Sequence, residues 1–220
     1  MERFFNMDNA FFTFMGRVAD LLILNILWLI CCIPIVTIGP STSALYYSLL
    51  KIVRKEDSYT WSMFFHSFRQ NLRQGICLTL IFLGLGLLLL VDIRVSSAIP
   101  GTPGQILMGL FLVLILFYLI LMAYTFPVLA QFENSLKNTM KNAFLMALSH
   151  LPSTLLIVAL NLAPVLLLFI SPYHFLLTMP LWLFLGIAGI AWINTRMFVK
   201  IFAPYMPQEE EEDAQFNPLP

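Results

Sequence analysis

Ile106-Leu-Met-Gly-Leu-Phe-Leu-Val-Leu-Ile-Leu-Phe-Tyr-Leu-Ile-Leu-Met-Ala-Tyr-Thr-Phe-Pro-Val-Leu-Ala130 contains no charged side chain. As a helix it rises about 37 Å at 1.5 Å per residue, enough to cross a hydrocarbon core about 30 Å thick. Such a core supplies no water to the backbone, so the chain must close its own hydrogen bonds. The run lacks the period-two alternation of a barrel strand, which leaves the α-helix.

Four other stretches are predominantly apolar in the same way: Val18–Ile38, which carries Asp20, and the uncharged Ile76–Val91, Thr154–Ile170 and Phe175–Ile193. The shorter ones reach a full span by extending at their ends or by tilting slightly. Of the 220 residues, 60% are hydrophobic and 11% charged, where an ordinary soluble domain has about 45–50% and about 25%. This composition predicts an all-α, polytopic membrane helical bundle of about five transmembrane helices, occupying residues 1–205 as one domain. Residues 206–220, with the run Gln208-Glu-Glu-Glu-Glu-Asp213, read as a disordered acidic tail. The N-terminus lacks the layout of a cleaved signal peptide, so the first apolar run is expected to stay as an anchor.

Two segments between spans read as interfacial amphipathic helices. Ser41–Arg54 follows Gly39-Pro40 and spaces Leu45, Leu49, Ile52 and Val53 for one helical face; Trp61–Gln74 does the same with Trp61, Phe64, Phe65, Phe68 and Leu72. Orientation follows lysine and arginine. With five spans, nine basic residues fall on the side of segments 39–75, 131–153 and the C-terminus, against Arg3, Arg17 and Arg94 on the other. The expectation is therefore N-terminus outside and C-terminus inside.

Ser67-Phe-Arg-Gln-Asn-Leu-Arg-Gln-Gly75 matches Ser135-Leu-Lys-Asn-Thr-Met-Lys-Asn-Ala143 in kind. Each copy sets two basic residues four apart, Arg69 with Arg73 and Lys137 with Lys141, and Arg196 with Lys200 repeats the spacing. Three basic helix extensions facing anionic headgroups would gain about 1 kcal/mol per residue. They are the candidate cytoplasmic interface.

Ionisable and amide groups inside spans are the other candidates, because lipid makes them costly. Asp20 lies three residues after Arg17, which suits an ion pair at the outer interface. Asn25 and Asn161 lie deeper, where amides commonly join helices. Convergence of Asp20, Asn25 and Asn161 on one cavity would favour a small homo-oligomeric transporter or channel. Gly84, Gly86, Gly186 and Gly189 suit close helix packing.

No catalytic motif is present, and His66, His150 and His174 fall in different segments. Cys31, Cys32 and Cys77 lack metal or redox spacing, and no basic patch resembles a nucleic-acid surface. The expectation is a non-enzymatic protein with no catalytic, cofactor or metal site, partnered by the lipid bilayer and not by nucleic acid.

Gly16-Arg-Val-Ala-Asp20, Asn25-Ile-Leu-Trp28, Cys32-Ile-Pro-Ile-Val-Thr-Ile-Gly-Pro40-Ser-Thr-Ser-Ala-Leu-Tyr-Tyr47 and Ser67-Phe-Arg-Gln-Asn71 resemble the YesL family of bacterial membrane proteins. Past about residue 100 the resemblance rests on the number and placement of spans. It implies a bacterial cytoplasmic-membrane protein of a family without a settled molecular function, often encoded beside carbohydrate import systems of the ATP-binding cassette type. A carbohydrate transporter or its sensor kinase is the partner that this implies, and the resemblance transfers no catalytic or substrate residue.

Overall fold

The computed structural model describes residues 10–56 and 59–206. The first helix, α1, covers Ala10–Cys31 and stops short of the expected Ile38. Pro34 has no N–H to give and sits extended at φ −76° and ψ 119°, opening a single 3-10 turn over Ile35–Thr37. Thr37 stabilises this break by donating its hydroxyl to the Cys31 carbonyl at 2.6 Å.

α2 (Ile38–Val53) and α3 (Thr60–Gln70) follow. α2 is more enclosed than an interfacial amphipathic helix would be. It touches α1, α3, α4, α5 and α9, and Gly39–Ser41, Ser43–Tyr46 and Ser48–Leu50 are buried. Its small residues explain this. Glycine, serines and alanine let neighbouring backbones come close, which in lipid counts for more than apolar area.

The long helices are α4 (Leu72–Ala98), α5 (Thr102–Gln131), α7 (Leu151–Ile170) and a composite of α8 (Pro172–Leu181) and α9 (Ile187–Phe202). α6 (Leu136–Ser149) links α5 to α7. With α1, five helices are long and apolar enough to cross a membrane, as the sequence predicts. Asn71 interrupts the expected Trp61–Gln74 helix, so Leu72–Gln74 begin α4.

α2 meets α4 at one tight crossing. The Gly39 N–H donates to Thr79 Oγ1 at 3.0 Å, and the Thr79 hydroxyl donates to the Gly75 carbonyl at 2.7 Å. A Cβ on Gly75 would lie 2.7 Å from Pro40, so both glycines are needed for the approach. On α4, Gly86 admits the Tyr118 hydroxyl, which donates to the Phe82 carbonyl at 3.1 Å, whereas Gly84 and Gly189 face open space. Only part of the expected small-residue packing is therefore used.

The sequence echo does not repeat as structure. Ser67–Gly75 straddles the α3–α4 break, while Ser135 precedes α6 and the rest of its copy lies within that helix. The acidic tail lies outside the described residues, apart from Met206 at its start.

Candidate functional site

α8 and α9 are joined by one widened π turn, Trp182–Gly186, whose geometry frees backbone groups from the ordinary ladder. Asn25, fully buried on α1, answers them. Its side-chain N–H donates to the Leu183 carbonyl at 2.6 Å, and its Oδ1 accepts from the Ala188 N–H at 2.9 Å. Its amide is committed to joining α1 to the composite helix.

Asp20 is committed elsewhere. Its Oδ1 accepts from the Thr60 hydroxyl at 2.6 Å, which ties α1 to the start of α3. Asp20, Asn25 and Asn161 therefore do not converge on one cavity.

Asn161 on α7 instead joins two residues that the sequence reading passed over. Asn194 on α9 is fully buried; its Nδ2 donates to Asn161 Oδ1 at 3.1 Å and lies 3.4 Å from the Tyr46 hydroxyl on α2. Asn194 Oδ1 has no partner among the described residues.

Two cavities flank this cluster. One of about 320 Å³ opens between α5 and α7 over α2, with Ile38, Leu119, Ala123, Phe126 and Val165 among its apolar walls. The other, about 200 Å³, lies between α7 and α9, where Trp28, Pro164 and Ile187 contribute. Thr42, Tyr46 and Asn161 line both. α7 buries only Thr154, Ile157 and Val158, so beyond its first turns most of its surface faces outward or lines these cavities.

The three basic pairs gather at one end of the bundle. Gln70 Nε2 donates to Glu133 Oε1 at 2.9 Å and Gln74 Nε2 to the Asn134 carbonyl at 3.0 Å, joining the α3–α4 corner to the α5–α6 loop. The Phe132 and Phe202 rings, 5.3 Å apart, bring in the end of α9. Arg69, Arg73, Lys137, Lys141, Arg196 and Lys200 are all exposed, and the Arg196 guanidinium stacks 3.8 Å above the Trp192 ring.

α3 has two unlike faces. Thr60, Met63, Phe64 and Ser67 are buried, while Trp61, Ser62, Phe65, His66, Arg69 and Gln70 line a shallow surface hollow. At the turn from α2 to α3, Lys51 Nζ lies 3.2 Å from a Glu56 oxygen, and this partner raises the lysine pKa above its ordinary value. His66, His150 and His174 lie on α3, after α6 and on α8, and no cluster of three potential metal ligands occurs among the described residues.

Residues 21–93 match the family described as "Protein of unknown function, DUF624". The match takes in α2, α3 and the Gly39–Thr79 crossing. Over 207 residues, 94% of each chain, the sequence is 26% identical to "Uncharacterized protein YesL" of Bacillus subtilis (strain 168). No solved structure matches. The first two findings bear out the YesL resemblance, and the second carries it through the half of the chain where it had rested on span placement.

Proposed function

We propose that this YesL-like helical membrane protein is a non-enzymatic accessory subunit in a bacterial cell membrane, held against a carbohydrate transporter or its sensor kinase. The observation that carries the reading is the two-faced α3. Its buried face packs on the enclosed α2, while its outer face offers Trp61, Phe65, His66 and Arg69. Aromatic and arginine side chains on a firm base are the composition of an interface hot spot. The six exposed basic residues at this end suit an acidic partner surface. The link to carbohydrate uptake comes from the family resemblance.

The intramembrane groups support the same reading. Asn25 and Asp20 are occupied in helix-to-helix hydrogen bonds. They give a homo-oligomeric transporter no shared polar path.

In this reading the basic end faces the cytoplasm. The Asp20–Thr60 bond favours placing that part of α1 at the same level, because the α2–α3 turn carries Lys51, Arg54, Lys55 and Glu56 and resists lipid. α1 and α2 then form a hairpin that enters and leaves on one side. Eleven of the 12 lysines and arginines become cytoplasmic, with Arg94 alone outside, a stronger bias than the nine against three of an external N-terminus.

The test is mild-detergent purification from the native host, through a tag at the C-terminus, with mass spectrometry of what stays bound. A permease or sensor kinase in stoichiometric amount is the expected result, reduced at least about tenfold by charge reversal at Arg69 and Arg73 with insertion unchanged. Recovery of the chain alone, as a defined oligomer, would overturn the accessory role in favour of a self-contained transporter.

A further inference from the structure

Beyond the accessory role, and independently of it, we propose that the groove between α5 and α7 is a binding site for a neutral, single-chain amphiphile that enters from the lipid phase. Its polar head would be read by Asn161 and its chain would lie along α5.

Shape and lining carry the first part of the argument. The cavity of about 320 Å³ falls at the small end of ligand sites, which run about 300–1,000 Å³ and set a few polar groups in apolar walls. Leu119, Met122, Ala123, Phe126, Leu162 and Val165 make an apolar trough, and its polar side chains Thr42, Tyr46 and Asn161 come from α2 and α7 alone. A chain with a polar head at one end fits that division.

The lining residues include no lysine, arginine, histidine, aspartate or glutamate. A charged headgroup drawn to this point would be desolvated without a counter-charge, so the occupant is neutral.

Unmet hydrogen bonding points to a ligand. Asn161 is exposed beside the trough, and its side-chain N–H groups donate to no described residue. Behind it, fully buried Asn194 lies outside the trough's lining and donates to Asn161 Oδ1, so it holds the Asn161 amide in place without itself meeting an occupant. An open amide in hydrocarbon is costly, and a hydroxyl or carbonyl on the occupant answers it. Thr42 is already satisfied, donating to the Ile38 carbonyl at 2.7 Å and accepting from Trp28 Nε1 at 3.1 Å. Tyr46 is buried whereas Asn161 is exposed to the trough, which makes Asn161 the reading group.

The smaller cavity beyond α7 shares Thr42, Tyr46 and Asn161, so α7 has open space on both sides of its polar contact.

The test uses full-length protein in bilayer discs and a dodecanol probe with a photoreactive diazirine in its chain. Labelled peptides are mapped by mass spectrometry. Saturable labelling on α5 and α7 is expected, competed by plain dodecanol and at least about tenfold more weakly by dodecane or dodecyl phosphate, a factor typical of one buried hydrogen bond. Asn161→Leu should abolish the preference for dodecanol over dodecane, Asn161→Gln should keep it, and Ala123→Phe should remove labelling by filling the trough. Labelling that never saturates, equal competition by dodecane in the unaltered protein, or labelling that survives Ala123→Phe would overturn the site. So would a cross-link between Asn161 regions of two protomers, since the groove would then belong to a second copy.

Discussion

Replacing Gly39 by alanine tests the central packing claim, because a single methyl group probes the α2–α4 crossing. Its Cβ would lie 2.2 Å from Thr79 Oγ1, 2.6 Å from the Gly75 carbonyl oxygen and 2.6 Å from the Phe126 ring. The threonine and the ring can turn; the carbonyl belongs to α4 itself. Relief therefore requires the helices to separate, which strains the Gly39 N–H bond to Thr79.

Overpacking of this kind costs about 1–3 kcal/mol and the strained bond about 0.5–1.5 kcal/mol more. The better helix propensity of alanine returns about 1 kcal/mol. The net loss is roughly 0.5–3.5 kcal/mol, or about 1–14 °C in unfolding midpoint for a chain of this size. Gly84→Ala is the control, since nothing lies within 4 Å of a Cβ there. Thermal unfolding in detergent micelles, followed by loss of the monodisperse peak, measures both. Gly39→Ala should melt well below the parent and Gly84→Ala at or slightly above it. Removing the Thr79 hydroxyl relieves one of the three contacts, so Gly39→Ala with Thr79→Ala should lose less than the sum of the single changes. Equal midpoints for Gly39→Ala and Gly84→Ala would refute the reasoning.

Asn25→Leu should cost about 1–3 kcal/mol by leaving the Leu183 carbonyl in the π turn and the Ala188 N–H at the start of α9 unanswered; faster hydrogen exchange at Ala188 reads it, and an unchanged rate would count against it. Thr60→Val should loosen α3 from α1 by about 1 kcal/mol through loss of the bond to Asp20, seen as easier proteolysis between α2 and α3. Fluorescent-protein fusions at both termini should be bright, and alkaline phosphatase fused after Gly101 active; a dark N-terminal fusion with a bright C-terminal one would instead favour the external N-terminus. The Lys51–Glu56 pair raises the lysine pKa, so its contribution is fully present below the ordinary lysine value and fades as pH rises through the raised one. Both side chains are partly exposed, so unfolding midpoints of the parent and Lys51→Met should differ little at pH 7 and converge as pH rises through the raised lysine pKa.

The long helices were legible because lipid leaves the backbone no alternative and because twenty apolar residues in a row are rarely accidental. Gly39-Pro40 and the serines of α2 were legible only as a helix start with an apolar stripe. That stripe, Leu45 and Leu49, does face the core, but so do Ser41, Ser43, Ala44 and Ser48 on other sides. Periodicity counts apolar residues against polar ones, whereas a helix enclosed by lipid-phase neighbours is built from small ones. Gly75 and Thr79 opposite Gly39 gave the missing signal, but the pairing joins residues forty positions apart and is invisible within either segment.

Asn161 and Asn194 show the same limit from the functional side. Asn161 stands out in Leu160-Asn161-Leu162-Ala163-Pro164 because everything around it is apolar. Asn194 does not, since Thr195 and Arg196 follow it and make the segment read as the polar end of a span. In the fold Asn194 is the buried member of the pair and Asn161 the exposed one. Arg196 avoids burial by stacking outward on Trp192, and that frees the helix to carry Asn194 inward two residues earlier. A helical turn separates what a linear reading joins: residues 194 and 196 differ by about 200° around the axis, so one meets Tyr46 while the other remains exposed. Intramembrane polar residues are therefore better sought by helical face than by distance from a charged flank, and on α9 that search leads from Asn194 through Asn161 to the open trough beside α5.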